Sequence, residues 1–139
     1  MFHIWNKEVL NMAKIIQELY FSTRNKPGEL YKVAQALKKA KVNILEMCSC
    51  EQGKKRCEVC LNTNNNIKAR NILRQLGFRP HVKQAIVFNL SNRPGRLAPV
   101  LQKLAKRRIN IKECEFTTAG NRVEVLLSTN KNKKAARIL

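Results

Sequence analysis

The sequence contains no aspartate, because all nine of its acidic residues are glutamate. This absence excludes sites built on an aspartate, among them an Asp-led calcium loop, the magnesium-binding Asp of a Walker-type nucleotide site and a Ser-His-Asp triad. Histidine is scarce as well, with only His3 and His81 available for imidazole chemistry. No nucleophile, base and orienting group occur together, so we predict no catalytic residues and a protein that is not an enzyme.

Long apolar runs are also absent. Charges at Lys7, Glu8 and Lys14 interrupt the N-terminal segment, so no apolar signal-peptide region forms there. No segment approaches the ~20 apolar residues that a membrane span requires. The five cysteines are an odd number and suit reduced thiols better than a disulfide framework. We therefore expect a cytoplasmic protein without a membrane anchor.

Positive charge is abundant. Lys and Arg number 28 against 9 acids, which gives a net charge of +19, while 44% of the 139 residues are hydrophobic. That apolar fraction is sufficient for a globular core. The basicity suits an acidic partner, including nucleic acid, although a biased genome composition would produce it too. The best candidate for contact with such a partner is the helix cluster Lys103, Lys106, Arg107 and Arg108.

An internal repeat organises the chain. Residues 25–46 read NKPGELYKVAQALKKAKVNILE, and residues 92–113 read NRPGRLAPVLQKLAKRRINIKE. The segment from Gly53 matches the segment from Gly120 in the same way after a one-residue change in length. The sequence therefore predicts an N-terminal extension (1–13), a first unit (14–83) and a second unit (84–139).

Each copy shows the same periodicity. Apolar residues recur at helical spacing after each Pro-Gly turn, at Leu30, Val33, Ala34 and Leu37 and again at Leu97, Val100, Leu101 and Leu104. Short apolar runs predict strands at 15–21, 42–50, 56–61 and 78–82, and at 85–90, 109–117 and 122–127. The Asn-rich stretches 62–66 and 130–132 offer N-caps to second helices at 67–76 and 133–139.

These elements predict an α+β fold with two tandem ferredoxin-like βαββαβ units, each an antiparallel sheet with its helices on one face. The second unit lacks its last strand, because Leu139 corresponds to Leu73 in the first. Either the sequence is cut short before that strand, or a partner chain covers the edge, with residues 1–12 as the candidate segment.

The motifs Asn-Lys-Pro-Gly-Glu-Leu and Asn-Arg-Pro-Gly-Arg-Leu, followed by Val-Asn-Ile and Ile-Asn-Ile, resemble those of the ACT domain family. The resemblance covers residues 14–139 and identifies the chain as a stand-alone tandem ACT protein. It implies a regulatory, non-catalytic protein that binds a small ligand, usually an amino acid, at interfaces between ACT units. It also implies a homodimer and a regulated partner enzyme.

The residues themselves favour an anion at the two turns, because Gly28 and Gly95 let backbone N–H groups approach a ligand at a helix N-terminus. By resemblance to the serine-sensing ACT domain of phosphoglycerate dehydrogenase, the Asn before Pro-Gly and the Asn of the Asn-Ile pair hold the amino acid. The predicted ligand contacts are Asn25, Gly28, Asn43, Ile44, Asn92, Gly95, Asn110 and Ile111. The sequence departs from that pattern at Leu90, where the dehydrogenase has a His. Pro-Gly beside Asn is also ordinary turn chemistry.

Two alternatives rest on other features. The first is a basic ferredoxin-like nucleic-acid-binding protein, since RNA recognition modules share this layout. Such modules stack bases on aromatics in their central strands, whereas 56–61 and 122–127 contain none. The second is a zinc site at Cys48, Cys50, Cys57 and Cys60. The second copy has no cysteine at the equivalent positions, and residues three apart on a strand point to opposite faces, so we predict no metal and no cofactor.

Overall fold

The computed structural model describes residues 13–139; residues 1–12, predicted to cover a sheet edge, lie outside the described residues. The elements in chain order are β1 (Lys14–Arg24), α1 (Glu29–Lys39), β2 (Ile44–Gln52), β3 (Arg56–Thr63), α2 (Asn66–Gln75), β4 (His81–Ser91), α3 (Leu97–Lys106), β5 (Ile111–Ala119), β6 (Arg122–Thr129) and α4 (Asn132–Ile138). They confirm the predicted α+β class and the repeated pattern. No helix among the described residues is long and apolar enough to cross a membrane.

The first compact unit comprises Gln17–Lys83. Its strands lie in the order β2-β3-β1, with both neighbouring pairs antiparallel. Alternate β1 residues, Leu19 and Phe21, point into a core with Val33 and Leu37 of α1 and Leu73 of α2. Every second residue of the strand and one side of each helix, with its 3.6-residue period, therefore pack together on one face of the sheet.

The second unit comprises Gln84–Leu139 together with the described residues up to Ile16. Its strands lie in the order β4-β6-β5, again antiparallel. Leu104 and Leu127 are fully buried in its core, and Ala13 and Ile15 of the N-terminal segment pack against that core. Helix α4 follows β6, which confirms that no closing strand comes after it in the described residues.

The prediction of separate strands at 78–82 and 85–90 is wrong, because β4 runs without interruption from His81 to Ser91. Nothing between Val82 and Ala85 supplies a Gly, Pro or Asn that would turn the chain. The division between the two compact units therefore falls inside β4, after Lys83, and likewise inside β1, after Ile16.

The predicted asparagine N-caps are found for one helix only. The side chain of Asn65 caps α2 by accepting a hydrogen bond from the N–H of Lys68 at 3.1 Å. Helix α4 begins after Lys131, which makes no side-chain cap. The asparagine side chains instead bond outside the helix: Oδ1 of Asn130 accepts from the N–H of Asn110, and Nδ2 of Asn132 donates to the Gln84 carbonyl of β4.

The residue after the C-cap of α1 and of α3 is left-handed but is not glycine: Lys41 has φ 56° and Arg108 has φ 54°. A Cβ atom is disfavoured there. We expect Lys41→Gly to raise the free energy of unfolding by about 0.5–1 kcal/mol. Lys38→Gly, inside α1, is the matched control and should lower it by about 1 kcal/mol. Urea denaturation measures both changes. If both variants were less stable than the wild type, Lys41 would not be in the left-handed conformation.

Candidate functional site

The Asn-Arg-Pro-Gly turn of the second unit is tied to the tip of the β5–β6 hairpin. The backbone N–H of Asn92 donates to the Asn121 carbonyl at 2.8 Å, and its Nδ2 donates to the Gly120 carbonyl at 3.0 Å. Gly95 has φ +79°, a conformation that disfavours a side chain, so the Pro-Gly pair sets the path of the turn. The turn is thereby fixed in place immediately before α3.

A pocket of about 170 Å³ opens beside this turn. Its lining residues are Leu90, Ser91, Asn92, Arg93, Gly95, Arg96, Leu97, Phe116, Thr118, Val123 and Val125. Apolar side chains of β4, β5, β6 and α3 form the walls, and the Phe116 ring remains 57% exposed. At the rim, Nε of Arg96 donates to Oγ of Ser91 at 2.8 Å, which orients the guanidinium. The second unit therefore has a small apolar pocket with one positioned cation.

The other two predicted contacts of this unit, Asn110 and Ile111, do not line the pocket. Ile111 pairs with Thr129 at one end of the β5–β6 hairpin, whereas Ala119 pairs with Arg122 at the end nearest the pocket. Eight strand steps between them span about 26 Å at ~3.3 Å per residue. The structure thus brings Asn92 and Gly95 together and separates them from Asn110.

Asn110 is bound to Asn130, in the turn that follows β6. Its N–H donates to Oδ1 of Asn130 at 3.0 Å, and the N–H of Asn130 donates back to its carbonyl at 3.1 Å. Asn43 of the first unit makes the same reciprocal pair with Asn64 at 3.0 Å in each direction and precedes Ile44, which opens β2. Asn64 therefore holds Asn43, a predicted ligand contact, in place.

The matching turn of the first unit has a different chemistry. Asn25 donates from Nδ2 to Oε2 of Glu51 at 2.5 Å, and Gly28, with φ +88°, caps α1. At the position equivalent to Arg96 stands Glu29, which is 7% exposed and pairs with two lysines. The negative charge of Glu29 repels the carboxylate of a ligand. The second unit is therefore the better candidate for an amino-acid site.

Arg96 is the residue that the sequence interpretation missed. Identities between the copies, such as Pro27 with Pro94, do not mark this position. The available signal was a difference between the copies, since the charge at this one position is inverted from Glu29 to Arg96. A change of charge within a preserved turn marks a site where the two copies differ in chemistry.

The cysteines are all free. Cys60 is buried in β3, and its Sγ donates to Oε2 of Glu18 at 2.9 Å. Burial and the Glu18 carboxylate raise the pKa of the Cys60 thiol far above its ordinary range. Burial and the neighbouring Glu115 also raise the pKa of Cys114. These two thiols are held protonated, whereas metal ligation and nucleophilic attack both require the thiolate.

The Cys60 thiol should make stability depend on alkaline pH. Above about pH 8.5 the unfolded thiol ionises while the native thiol keeps its proton, so the free energy of unfolding falls by up to about 1.4 kcal/mol per pH unit. The contribution is fully present below that pH. Urea denaturation at pH 7.5 and 9.5 should show a larger loss for the wild type than for Cys60→Ala. If the wild type and Cys60→Ala lost equal stability between these pH values, the native Cys60 thiol would not have a raised pKa.

Comparisons with known proteins agree with this architecture. The family model of the ACT domain pair matches residues 14–139. The structure of a Bacteroides thetaiotaomicron protein is 23% identical and superposes with a TM-score of 0.83, covering 91% of this chain and 88% of that one. The ligand-free regulatory subunit of aspartate kinase from Thermus thermophilus is 16% identical, with a TM-score of 0.65 and coverage of 94% and 95%.

A whole aspartate kinase from Clostridium acetobutylicum is similar over part of its length. It is 14% identical, with a TM-score of 0.58, and the match covers 91% of this chain but 32% of the kinase. Among curated proteins, no match was found. At these identities the solved structures show a common fold.

Proposed function

The chain belongs to the ACT domain pair family, and from that premise we propose that it senses a small free amino acid in the pocket beside Asn92 and controls a partner enzyme. ACT domains are regulatory and not catalytic, and the regulatory subunit of an aspartate kinase shares the fold. We propose that this chain likewise catalyses no reaction. The observation that carries the proposal is the small apolar pocket with Arg96 at its rim.

The pocket offers a partner for each part of an amino acid. The Arg96 guanidinium, close to the N-terminus of α3, can donate two parallel hydrogen bonds to the ligand carboxylate. Nδ2 of Asn92 is engaged with the Gly120 carbonyl, which leaves Oδ1 as an acceptor for the ammonium group. The apolar wall suits the ligand side chain. A volume of about 170 Å³ is below the ~300–1,000 Å³ of drug-sized pockets and favours a small amino acid.

The second predicted contact, Asn110, cannot reach the pocket of its own unit, so an Asn110 that contacts the ligand must belong to another copy of the chain. Within one chain, Asn110 lies six residues before Phe116, the nearest pocket residue of β5, which is about 20 Å along the strand at ~3.3 Å per residue. The exposed ring of Phe116 leaves the pocket open on one side. We propose that a second copy of the chain covers this side in a homodimer and contributes Asn110 and Ile111 to the site.

The first experiment is a thermal-shift screen of the twenty amino acids, because a ligand of the native state raises its melting temperature. For the amino acid that binds, Arg96→Ala and Asn92→Ala should each weaken binding by about 10- to 150-fold, as expected for hydrogen bonds to charged groups. Asn25→Ala, which removes the equivalent turn bond of the first unit, is the matched control and should retain affinity.

Equal weakening by Asn25→Ala would assign the effect to turn stability and contradict the site in the second unit. Stabilisation by no amino acid would overturn the proposed ligand. A short RNA run beside the screen tests the nucleic-acid alternative, for which Lys103, Lys106 and Arg107 form a basic surface. If RNA stabilised the protein, no amino acid did, and 200 mM salt removed the effect, the function would be nucleic-acid binding through that surface.

Mixing two variants that bind the ligand weakly tests whether two copies of the chain share one ligand site. If each site takes Asn92 from one chain and Asn110 from the other, a mixed dimer of Asn92→Ala and Asn110→Ala has one intact site and one doubly altered site. Binding at wild-type affinity should therefore reappear on mixing, with reduced stoichiometry by titration calorimetry. No recovery in a mixture shown to exchange subunits would contradict the shared site.

A further inference from the structure

A second and larger pocket lies within the first unit. Its volume is about 540 Å³, and it is formed by the end of β1, the start of α1, the start of β3 and the segment between α2 and β4. The residues that line it are Ser22, Arg24, Lys26, Glu29, Lys32, Arg56, Leu76, Gly77, Phe78 and Arg79. Five cationic side chains and one acid therefore surround one concave space, leaving a net charge of +4.

The repeat shows that the fold does not require all of these cations, although the second copy keeps a cation at the positions of Lys26 and Arg56, as Arg93 and Arg122. The position of Arg24 is occupied by Ser91 in the second copy, and that of Lys32 by Pro99. The second unit nevertheless forms the same strands and helix. Arg24 and Lys32 are thus particular to the first unit and are not explained by the structural needs of the fold.

The charges around the pocket are incompletely balanced. Glu29 pairs with Lys26 at 3.7 Å and with Lys32 at 3.4 Å, so the single acid is already engaged. Among residues 13–139, no carboxylate forms an ion pair with Arg24, Arg56 or Arg79.

Arg24 and Arg56 also stand directly opposite each other on β1 and β3. Like charges in that position repel. In the second unit the equivalent pair is Ser91 with Arg122, and the repulsion is absent. An anion lodged between the two guanidinium groups would turn this unfavourable arrangement into a favourable one.

We infer that this pocket binds a small molecule that carries two or more adjacent phosphate groups, such as a nucleoside diphosphate. Arginine forks match phosphate oxygens in a bidentate geometry, and three arginines with two lysines suit more than one phosphate. The volume lies within the ~300–1,000 Å³ of small-molecule sites. Phe78, with the Lys32 ammonium 5.6 Å from its ring centroid, adds an aromatic wall. The inference is independent of the amino-acid site in the second unit.

Titration calorimetry with inorganic pyrophosphate and inorganic phosphate tests the inference on the full chain. Pyrophosphate should bind more tightly than phosphate, and Arg24→Ser, which introduces the residue of the second copy, should weaken pyrophosphate binding by about tenfold or more. Arg56→Gln should act in the same direction. Arg122→Gln, the equivalent of Arg56 in the second unit, is the matched control and should leave binding unchanged.

Folding of the variants is followed by their melting temperature without ligand. Arg24→Ser should melt slightly higher than the wild type, because it removes the cross-strand repulsion. If that variant fails to fold, Arg79→Gln provides the same test from a loop position. Absence of pyrophosphate binding, or equal weakening by Arg122→Gln, would overturn the inference. Binding of a short single-stranded RNA through the same arginines, without pyrophosphate binding, would also overturn it and assign the pocket to nucleic acid.

Discussion

Replacing Leu37 by alanine should lower the free energy of unfolding by about 2–5 kcal/mol. Leu37 is fully buried in α1 and packs in the core of the first unit with Leu19, Phe21 and Leu73. Truncation removes its apolar contacts and leaves a cavity that the two helices and the sheet fill only in part. Urea denaturation followed by circular dichroism measures the loss.

The chain supplies two comparisons for this variant. Leu104→Ala makes the equivalent change in the core of the second unit, where Leu104 is also fully buried, and should cost a similar amount. Tyr31→Ala, on the same helix as Leu37 but 70% exposed, should change stability by less than about 0.5 kcal/mol. A loss below about 1 kcal/mol for Leu37→Ala would show that the position is not the core residue described here.

Replacing Asn66 by alanine should cost about 2–4 kcal/mol, although Asn66 lies at the start of a short helix. Its Oδ1 accepts from the N–H and the hydroxyl of Thr63 at 2.8 and 2.9 Å. Its Nδ2 donates to the Gln17 carbonyl and to Oδ1 of Asn62, both at 3.1 Å. Thr63 and Asn62 are buried, so the groups left behind would lose partners that water does not readily replace.

The repeat again provides the comparison. Asn132 makes the same bonds to Thr129 and to the Gln84 carbonyl but has no bond equivalent to that with Asn62. Asn132→Ala should therefore cost somewhat less than Asn66→Ala. Asn71→Ala, exposed within α2, should be nearly neutral or slightly stabilising, because alanine is the better helix former. Similar effects for Asn66→Ala and Asn71→Ala would contradict the structural role of the Asn66 side chain.

Local pattern predicted most of the fold. The repeated Pro-Gly turn and the i, i+3, i+4, i+7 spacing after it placed α1 and α3, and the apolar runs placed both hairpins. These features depend on neighbours in the sequence, where periodicity is a direct record of which face is buried. Strand ends were predicted less well, because β4 continues through the division between units and nothing in its own residues marks that division.

The candidate site was predicted in part. Asn92 and Gly95 lie together because four consecutive residues form one turn, and the sequence contains that information. Arg96 was missed, since the orientation of its guanidinium depends on Ser91 across the turn. Asn110 was grouped with Asn92 by resemblance, and the antiparallel register places the two at opposite ends of the same hairpin.

The sequence by itself determined the repeat, the βαββαβ order, the buried faces and the excess of positive charge. The tertiary structure alone decided which charges and amides share a space. The register of β1 on β3 sets Arg24 opposite Arg56, and the return of the chain after α2 brings Arg79 beside them. The physical reason is that periodicity acts over a few residues, whereas a site is made where segments distant in sequence are held together by packing and strand pairing.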